Sequence, residues 1–381
     1  MAIYCADLKG VIMHARLSHK KCGYCRTGKE LYGSDMLSPK GFCVDAFYAV
    51  YPYLLALLYD ANLSGGPFAE GLIIRCPNSD KPALIKVKFR YKKTMAILNL
   101  IENISRAIGF PKDAIDKVVM LEVVGDNGQC SLKNGELFKI NIPDIKNVCP
   151  AAFFSMYPLI NICLRNIQQS ARQAEDDKIS FLCPDPKTNI IYDVSLPQKG
   201  SAASLLTKNK PCDYMPNMSK YKVTVLKNAD CLIRPWHEKE ISLDKLVPSG
   251  ICPFVLNIAM PYIITLYNGG HFKWRKDIDT VEAQCPSCHG QVAFEIKRDK
   301  SDSKKISLNI NKIGGRCPNN HKKGESYYFD FSKVICPHLF MRIFPAVLML
   351  KYADSKEKYK DGLLIACPFR EKDAAYMLYK E

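Results

Sequence analysis

An apolar segment with the same internal spacing recurs four times along the chain. Each copy opens on a cysteine and carries a proline nine positions later. The last three copies also have a proline directly after the cysteine, so the proline at position nine is called the second proline in all four. A cysteine at the N-cap and a proline at the first helical position favour a helix start, because proline's missing N–H needs no partner there. The pattern predicts four helices, each kinked at its second proline. The cysteine and second proline of the copies are Cys43 and Pro52, Cys149 and Pro158, Cys252 and Pro261, and Cys336 and Pro345.

Shorter stretches around these segments alternate β-branched residues with polar ones, which predicts strands. Such stretches stand before the third and fourth helices at 221–228 and 305–312, and 325–331 predicts a second strand. After the third helix, 281–286 and 291–298 flank a polar turn and predict a hairpin. The sequence therefore predicts an α+β fold of four tandem repeats, each with the order strand, cysteine loop, strand, kinked helix, strand, strand.

The joints between the repeats differ in composition. Residues 94–116 have helical apolar spacing and predict a linker helix, residues 198–219 are rich in Gly, Ser, Lys and Pro, and residues 299–304 are charged. The resulting boundaries are 1–93 for repeat one, 117–197 for repeat two, 220–298 for repeat three and 305–381 for repeat four.

Twelve of the 17 cysteines fall at three positions that recur in the repeats. We predict that these three positions are metal ligands, because thiols held at fixed spacing in otherwise diverged copies indicate shared thiol chemistry. The loop position holds Cys22, Cys130, Cys231 and Cys317; the helix start holds Cys43, Cys149, Cys252 and Cys336; the later Cys-Pro position holds Cys76, Cys183, Cys285 and Cys367. Candidate fourth ligands are Cys25, Cys288 and His321.

A cysteine at a helix start is a good thiolate ligand, because the helix dipole and the unpaired N–H groups favour the charged form. Three thiolates with a variable fourth position fit a [4Fe–4S] cluster, which would transfer electrons or act as a Lewis acid at an open iron. Zinc with an exogenous ligand is the alternative. Buried thiols without metal are a further alternative. Whether the chain is an enzyme stays open at this point.

The pattern resembles a family of small, single-domain, cysteine-containing proteins from anaerobic bacteria and archaea. In that family a Cys-x-x-x-His loop and a Lys-Gly-Asp/Glu turn precede a Gly-x-Cys-Pro helix with Tyr-Pro and a last Cys-Pro strand. CPNNHKKGE at 317–325, ICPHLF at 335–340 and ACPF at 366–369 match best, whereas CLIRPWHEKE at 231–240 departs from the loop. The resemblance implies four tandem copies of such a domain in an anaerobe. It implies no activity.

Two shorter motifs are less favoured. Cys285 to His289 matches the C-x-x-C-H of covalent haem attachment, but that chemistry needs export and Cys285 already belongs to the recurring positions. Cys22 to Cys25 matches a thioredoxin-like C-x-x-C without the strand that precedes it in that fold.

Composition and charge narrow the class of protein. The chain has 381 residues, 48% of them hydrophobic, and a net charge of +16, which fits a folded protein of several domains. Without an export signal or an apolar run of membrane length, we expect a cytoplasmic protein that does not enter membranes. The charge favours an acidic redox protein as the partner. Nucleic acid is the less favoured alternative, because no nucleic-acid-binding motif accompanies the short basic stretches.

Overall fold

The fold is known from a computed structural model of the full chain. The described residues are 11–17, 30–32, 44–58, 61, 72–75, 83–89, 118–125, 135, 137–141, 144–145, 150–164, 178–186, 190–195, 208–209, 211, 215–227, 240–272, 275–287, 290–302, 304–331, 335–352, 361–367 and 375–380.

Four α-helices form at the four predicted apolar segments. They are α1 Val44–Leu58, α2 Pro150–Leu164, α3 Pro253–Tyr267 and α4 Pro337–Tyr352. Each helix continues through its second proline. At α3, Cys252 is the N-cap in an extended conformation and proline occupies the first turn, as predicted. Together with antiparallel sheets, these helices confirm a mixed α+β fold.

Two sheets draw their strands from the first half of the chain. The first has the order β2-β1-β4-β3, all antiparallel, and its strands are β1 Val11–Leu17, β2 Glu30–Tyr32, β3 Leu72–Arg75 and β4 Ala83–Phe89. The second has the order β10-β8-β9-β5-β6-β7, and its strands are β5 Val118–Gly125, β6 Leu137–Asn141, β7 Asp144–Ile145, β8 Lys178–Leu182, β9 Ile191–Ser195 and β10 Lys208–Asn209. The short strand β10 pairs parallel to β8 and lies within the predicted linker 198–219.

The other two sheets share the strands of predicted repeats three and four. One has the order β12-β11-β18-β17, with strands β11 Tyr221–Lys227, β12 Glu240–Ser242, β17 Leu363–Ala366 and β18 Ala375–Lys380. The other has the order β13-β14-β15-β16, with strands β13 Thr280–Gln284, β14 Val292–Arg298, β15 Ile306–Ile313 and β16 Ser326–Phe329. The first two strands of predicted repeat three and the last two of predicted repeat four therefore form one sheet, in which β11 pairs with β18.

The length of the joint explains this exchange. Residues 299–305 are the whole connection between β14 and β15, and the two strands pair antiparallel from Val292 opposite Ile313 to Arg298 opposite Ile306. Short connections favour pairing of the strands they join. The connections between β4 and β5 and between β9 and β11 are longer, and the strands on either side of them belong to separate sheets. The predicted boundary at 299–304 thus lies in a hairpin turn.

The four helices pack against one another and join the sheets into one hydrophobic core. Every residue of α3 from Pro253 to Leu266 is buried, as expected of a helix that is apolar on all sides. Hydrogen bonds between buried side chains link α1 to each of the others, and they run from Tyr48 Oη to Asn257 Oδ1 (2.7 Å), between Tyr53 Oη and His338 Nδ1 (2.8 Å), and from Tyr157 Oη to Asp45 Oδ1 (2.8 Å).

Within the described part of the chain, none of the helices has both the length and the apolar character needed to cross a membrane.

Candidate metal centre

The loop between β15 and β16 carries two of the predicted ligands, Cys317 and His321. Strand hydrogen bonds close its base, because Gly324 N donates to Ile310 O and Ile310 N donates to Glu325 O, both at 2.8 Å. Gly324 has a φ of 90°, a left-handed conformation that glycine adopts without strain. The loop is therefore a defined turn at the end of the sheet.

The side chain of His321 is 1% exposed, and both of its ring nitrogens are hydrogen-bonded. Nε2 accepts the backbone N–H of Cys252 at 3.2 Å, and Nδ1 lies 3.2 Å from Glu325 Oε2. An Nε2 that accepts a hydrogen bond leaves the proton on Nδ1, which then donates to the carboxylate. This arrangement matches that of metal-binding histidines, whose other ring nitrogen donates to a carboxylate or carbonyl.

Glu325 and Tyr327 hold this ring in place. Tyr327 Oη donates to Glu325 Oε2 at 3.0 Å and lies 3.0 Å from His321 Nδ1. A hydrogen bond from the backbone of Lys322, and then those from His321 and Tyr327, lower the pKa of Glu325. The carboxylate therefore stays ionised at neutral pH and is a good acceptor for the imidazole N–H.

Cys252 brings the N-terminus of α3 to the same loop. Its side chain is 2% exposed, and as N-cap its carbonyl accepts the first helical hydrogen bond, from Leu256 N at 3.0 Å. Asn319 Nδ2 donates to Gly250 O at 2.9 Å, which ties the loop to the residues before the helix. The helix dipole at this position favours the thiolate form of Cys252.

The pKa of Tyr327 is raised by its surroundings. Burial raises it most, and the hydrogen bond to Glu325 and the charge of that carboxylate raise it further, with smaller contributions from Cys252 and Cys317.

Cys285 reaches this region from the turn after β13. Its N–H donates to Val292 O at 2.8 Å, and its Sγ accepts the N–H of Ser287 at 3.3 Å, a contact that stabilises a thiolate. The turn also touches the β15–β16 loop: a Cβ placed on Gly290 would lie 3.3 Å from Cys317 Cα. A side chain at this position would have to displace the backbone of Cys317 slightly, so glycine suits this close approach.

The structure thus places His321 of predicted repeat four against Cys252 of predicted repeat three, and the turn that follows Cys285 against the backbone of Cys317. Among the described residues, no three Cys, His, Asp or Glu side chains lie close enough together to hold one ion. Instead, the Nε2 of His321 is hydrogen-bonded to the backbone amide of Cys252.

Two further predicted ligands, Cys336 and Cys367, contribute to the electrostatics of Tyr53. Burial raises the pKa of Tyr53, Arg342 opposes this, and negative charge on Cys367 and Cys336 adds to the increase. The neighbouring His338 is buried, and burial followed by the charge of Arg342 lowers its pKa to about 3. His338 is therefore a neutral core residue at physiological pH.

The remaining predicted ligands divide into two groups. Cys183 is described and buried, at the end of β8. The others lie outside the described residues: Cys22, Cys25, Cys43, Cys76, Cys130, Cys149, Cys231 and Cys288. Sequence reasoning did not identify Glu325 or Tyr327 as site residues. The spacing of four between His321 and Glu325 in the loop was a signal for the first, whereas nothing in the sequence marked Tyr327.

Comparison with known protein families, with curated proteins and with solved structures finds no match to this chain.

Proposed function

We propose that the chain is a metal-binding protein in which Cys252, Cys285, Cys317 and His321 hold zinc as a structural ion. The observation that carries the proposal is the hydrogen bonding of His321, whose Nδ1 faces Glu325 while Nε2 faces the N-terminus of α3. Three thiols and one imidazole are a common ligand set of structural zinc sites.

The donor set fits zinc better than an open cluster. Four protein ligands fill the tetrahedral shell of zinc, so the bound ion would supply cross-linking rather than an open position for chemistry. Cys252 would anchor the start of α3, and Cys285, Cys317 and His321 would anchor the two turns at one end of the β13–β16 sheet. The ion would thereby fasten a core helix to its sheet.

The iron–sulfur function expected from the sequence is the second candidate. Three cysteine positions recur in all predicted repeats, whereas no fourth ligand recurs in all of them. A cluster with three cysteine ligands fits that recurrence. We also propose that the chain consists of four tandem copies of one domain and that it works in the cytoplasm.

Metal and acid-labile sulfide analysis of protein purified without oxygen tests this assignment. The zinc proposal predicts colourless protein with bound zinc and no sulfide. Brown protein with iron and sulfide would favour the iron–sulfur function instead. Protein that carries neither metal and melts at the same temperature with and without chelator would contradict both.

The net charge of +16 supports an acidic protein as partner of this scaffold, with nucleic acid as the competing partner. Titration with a fluorescent single-stranded oligonucleotide at low and high salt separates the two. Tight binding that weakens steeply with salt would favour nucleic acid as the partner. No binding at low salt would favour an acidic protein as the partner.

A further inference from the structure

A short antiparallel pairing joins the end of β8 to the turn after β13. Phe181 forms a bridge with Ser287. Beside it, Leu182 N donates to Pro286 O at 2.7 Å, and Gln284 N donates to Pro184 O at 2.9 Å. Residues 181–184 therefore run antiparallel to residues 284–287.

This register places Cys183 directly opposite Cys285. The two backbone hydrogen bonds flank the pair on either side, from Leu182 and from Gln284, so Cys183 and Cys285 form a non-hydrogen-bonded pair. Opposed residues of such a pair have Cα atoms about 4.5 Å apart and point to the same face. Gln284 Nε2 fixes the segment further by donating to Cys183 O at 2.8 Å.

We propose that Cys183 and Cys285 are a redox pair that forms a cross-strand disulfide. The Cα separation of a non-hydrogen-bonded pair lies within the range of about 4.4–6.8 Å that a disulfide spans. Both residues are reduced thiols in the structure, 6% and 3% exposed, so the oxidant must be small. Hydrogen peroxide meets that requirement.

The chemistry proceeds in two balanced steps. Cys285, whose sulfur accepts the Ser287 N–H, loses its proton and attacks one peroxide oxygen as the thiolate. The O–O bond breaks, Cys285 becomes a sulfenic acid, and the departing hydroxide takes up the proton that the thiol lost and leaves as water. The sulfur of Cys183 then attacks the sulfenic sulfur, the S–O bond breaks, and the hydroxide leaves with a proton as a second water. The two thiols are oxidised by two electrons and the peroxide is reduced to two waters.

The cross-link itself needs no metal, but its consequence rests on the proposed function. A Cys285 held in a disulfide is not a zinc ligand, so oxidation would release the ion from the centre. Metal binding would in turn protect Cys285 from peroxide.

Peptide mapping of the full chain tests the pair. Reduced protein is freed of metal with a chelator, treated with hydrogen peroxide, alkylated and digested with trypsin without reductant. We expect peptide 179–187 linked to peptide 277–297, and loss of this species after reduction. Because 277–297 also contains Cys288, the C288S variant assigns the link. We expect the linked peptides to form in C288S and in the control C367S, and to be absent from C183S.

The outcomes separate the two proposals. Absence of the linked peptide from wild-type protein, or its loss in C288S with retention in C285S, overturns the redox pair. If the link forms in chelated protein and prior loading with zinc slows it at least about 10-fold, both the pair and the metal centre are supported. A link that forms equally fast with zinc keeps the pair and counts against Cys285 as a zinc ligand.

Discussion

We expect that replacing Glu325 with Gln perturbs the proposed metal centre without removing one of its proposed ligands. The carboxylate accepts from His321 Nδ1 at 3.2 Å and from Tyr327 Oη at 3.0 Å, and it favours the tautomer in which Nε2 carries no proton, the form that a metal ligand needs. Loss of such a partner lowers metal affinity about 10–100-fold. Because the Glu325 side chain is 34% exposed, water replaces part of the interaction, and we expect the lower end of that range. A 10-fold loss corresponds to about 1.4 kcal/mol.

The assay is competition for zinc between the protein and a chromophoric chelator. The matched control is Glu240→Gln, which removes another carboxylate that accepts from a tyrosine, Tyr379, and from a lysine, but on the sheet built from β11, β12, β17 and β18. We expect weaker zinc binding for Glu325→Gln and unchanged binding for Glu240→Gln. Equal affinities for the two variants would refute the role of Glu325.

Three further predictions follow from named contacts. Tyr48→Phe leaves Asn257 Oδ1 buried without its donor and should lower the free energy of unfolding in urea by about 1–3 kcal/mol. The double variant Tyr48→Phe/Asn257→Leu should recover most of that loss, whereas additive effects of the two substitutions would contradict the pairing. Gly290→Ala should weaken zinc binding, because the new Cβ presses on the backbone of Cys317. Unchanged affinity would show that the spacing of the two turns does not affect zinc binding. The folded state lowers the pKa of Glu325 from 4.5, so its stabilising effect is complete above that value and lost as the pH falls through the folded pKa. The difference in unfolding free energy between wild type and Glu325→Gln in metal-free protein should therefore shrink on acidification, and a pH-independent difference would argue against it.

The helices and several strands could be predicted because their signals are local. The N-cap Cys252 with its proline, and the alternation in β11, β14 and β15, do not depend on what packs against them. The pairing of strands from two predicted repeats has no local signal, because it depends on which connections along the chain are shortest. The short joint at 299–304 indicated that the strands on either side of it pair with each other. The periodicity of the cysteines instead assigns those strands to different repeats.

The residues of the proposed centre carried signals in the sequence, but their assembly did not. Cys252, Cys285 and Cys317 stand at the recurring positions. His321 lies in the Cys-x-x-x-His loop of predicted repeat four. That His321 lies against Cys252, and that Cys183 faces Cys285, depends on which loops the fold brings together. The hydrogen bonds of Tyr327 likewise exist only once the β15–β16 loop has closed on the start of α3.

The most direct test of the proposed centre is the metal content of wild-type protein and of a Cys317→Ser/His321→Ala double variant, both purified without oxygen and compared by circular dichroism. Removing two ligands from one centre should lower the content by one equivalent of zinc per chain and leave any other bound metal in place. A double variant that retains the wild-type metal content would contradict the assignment of these residues to a metal centre.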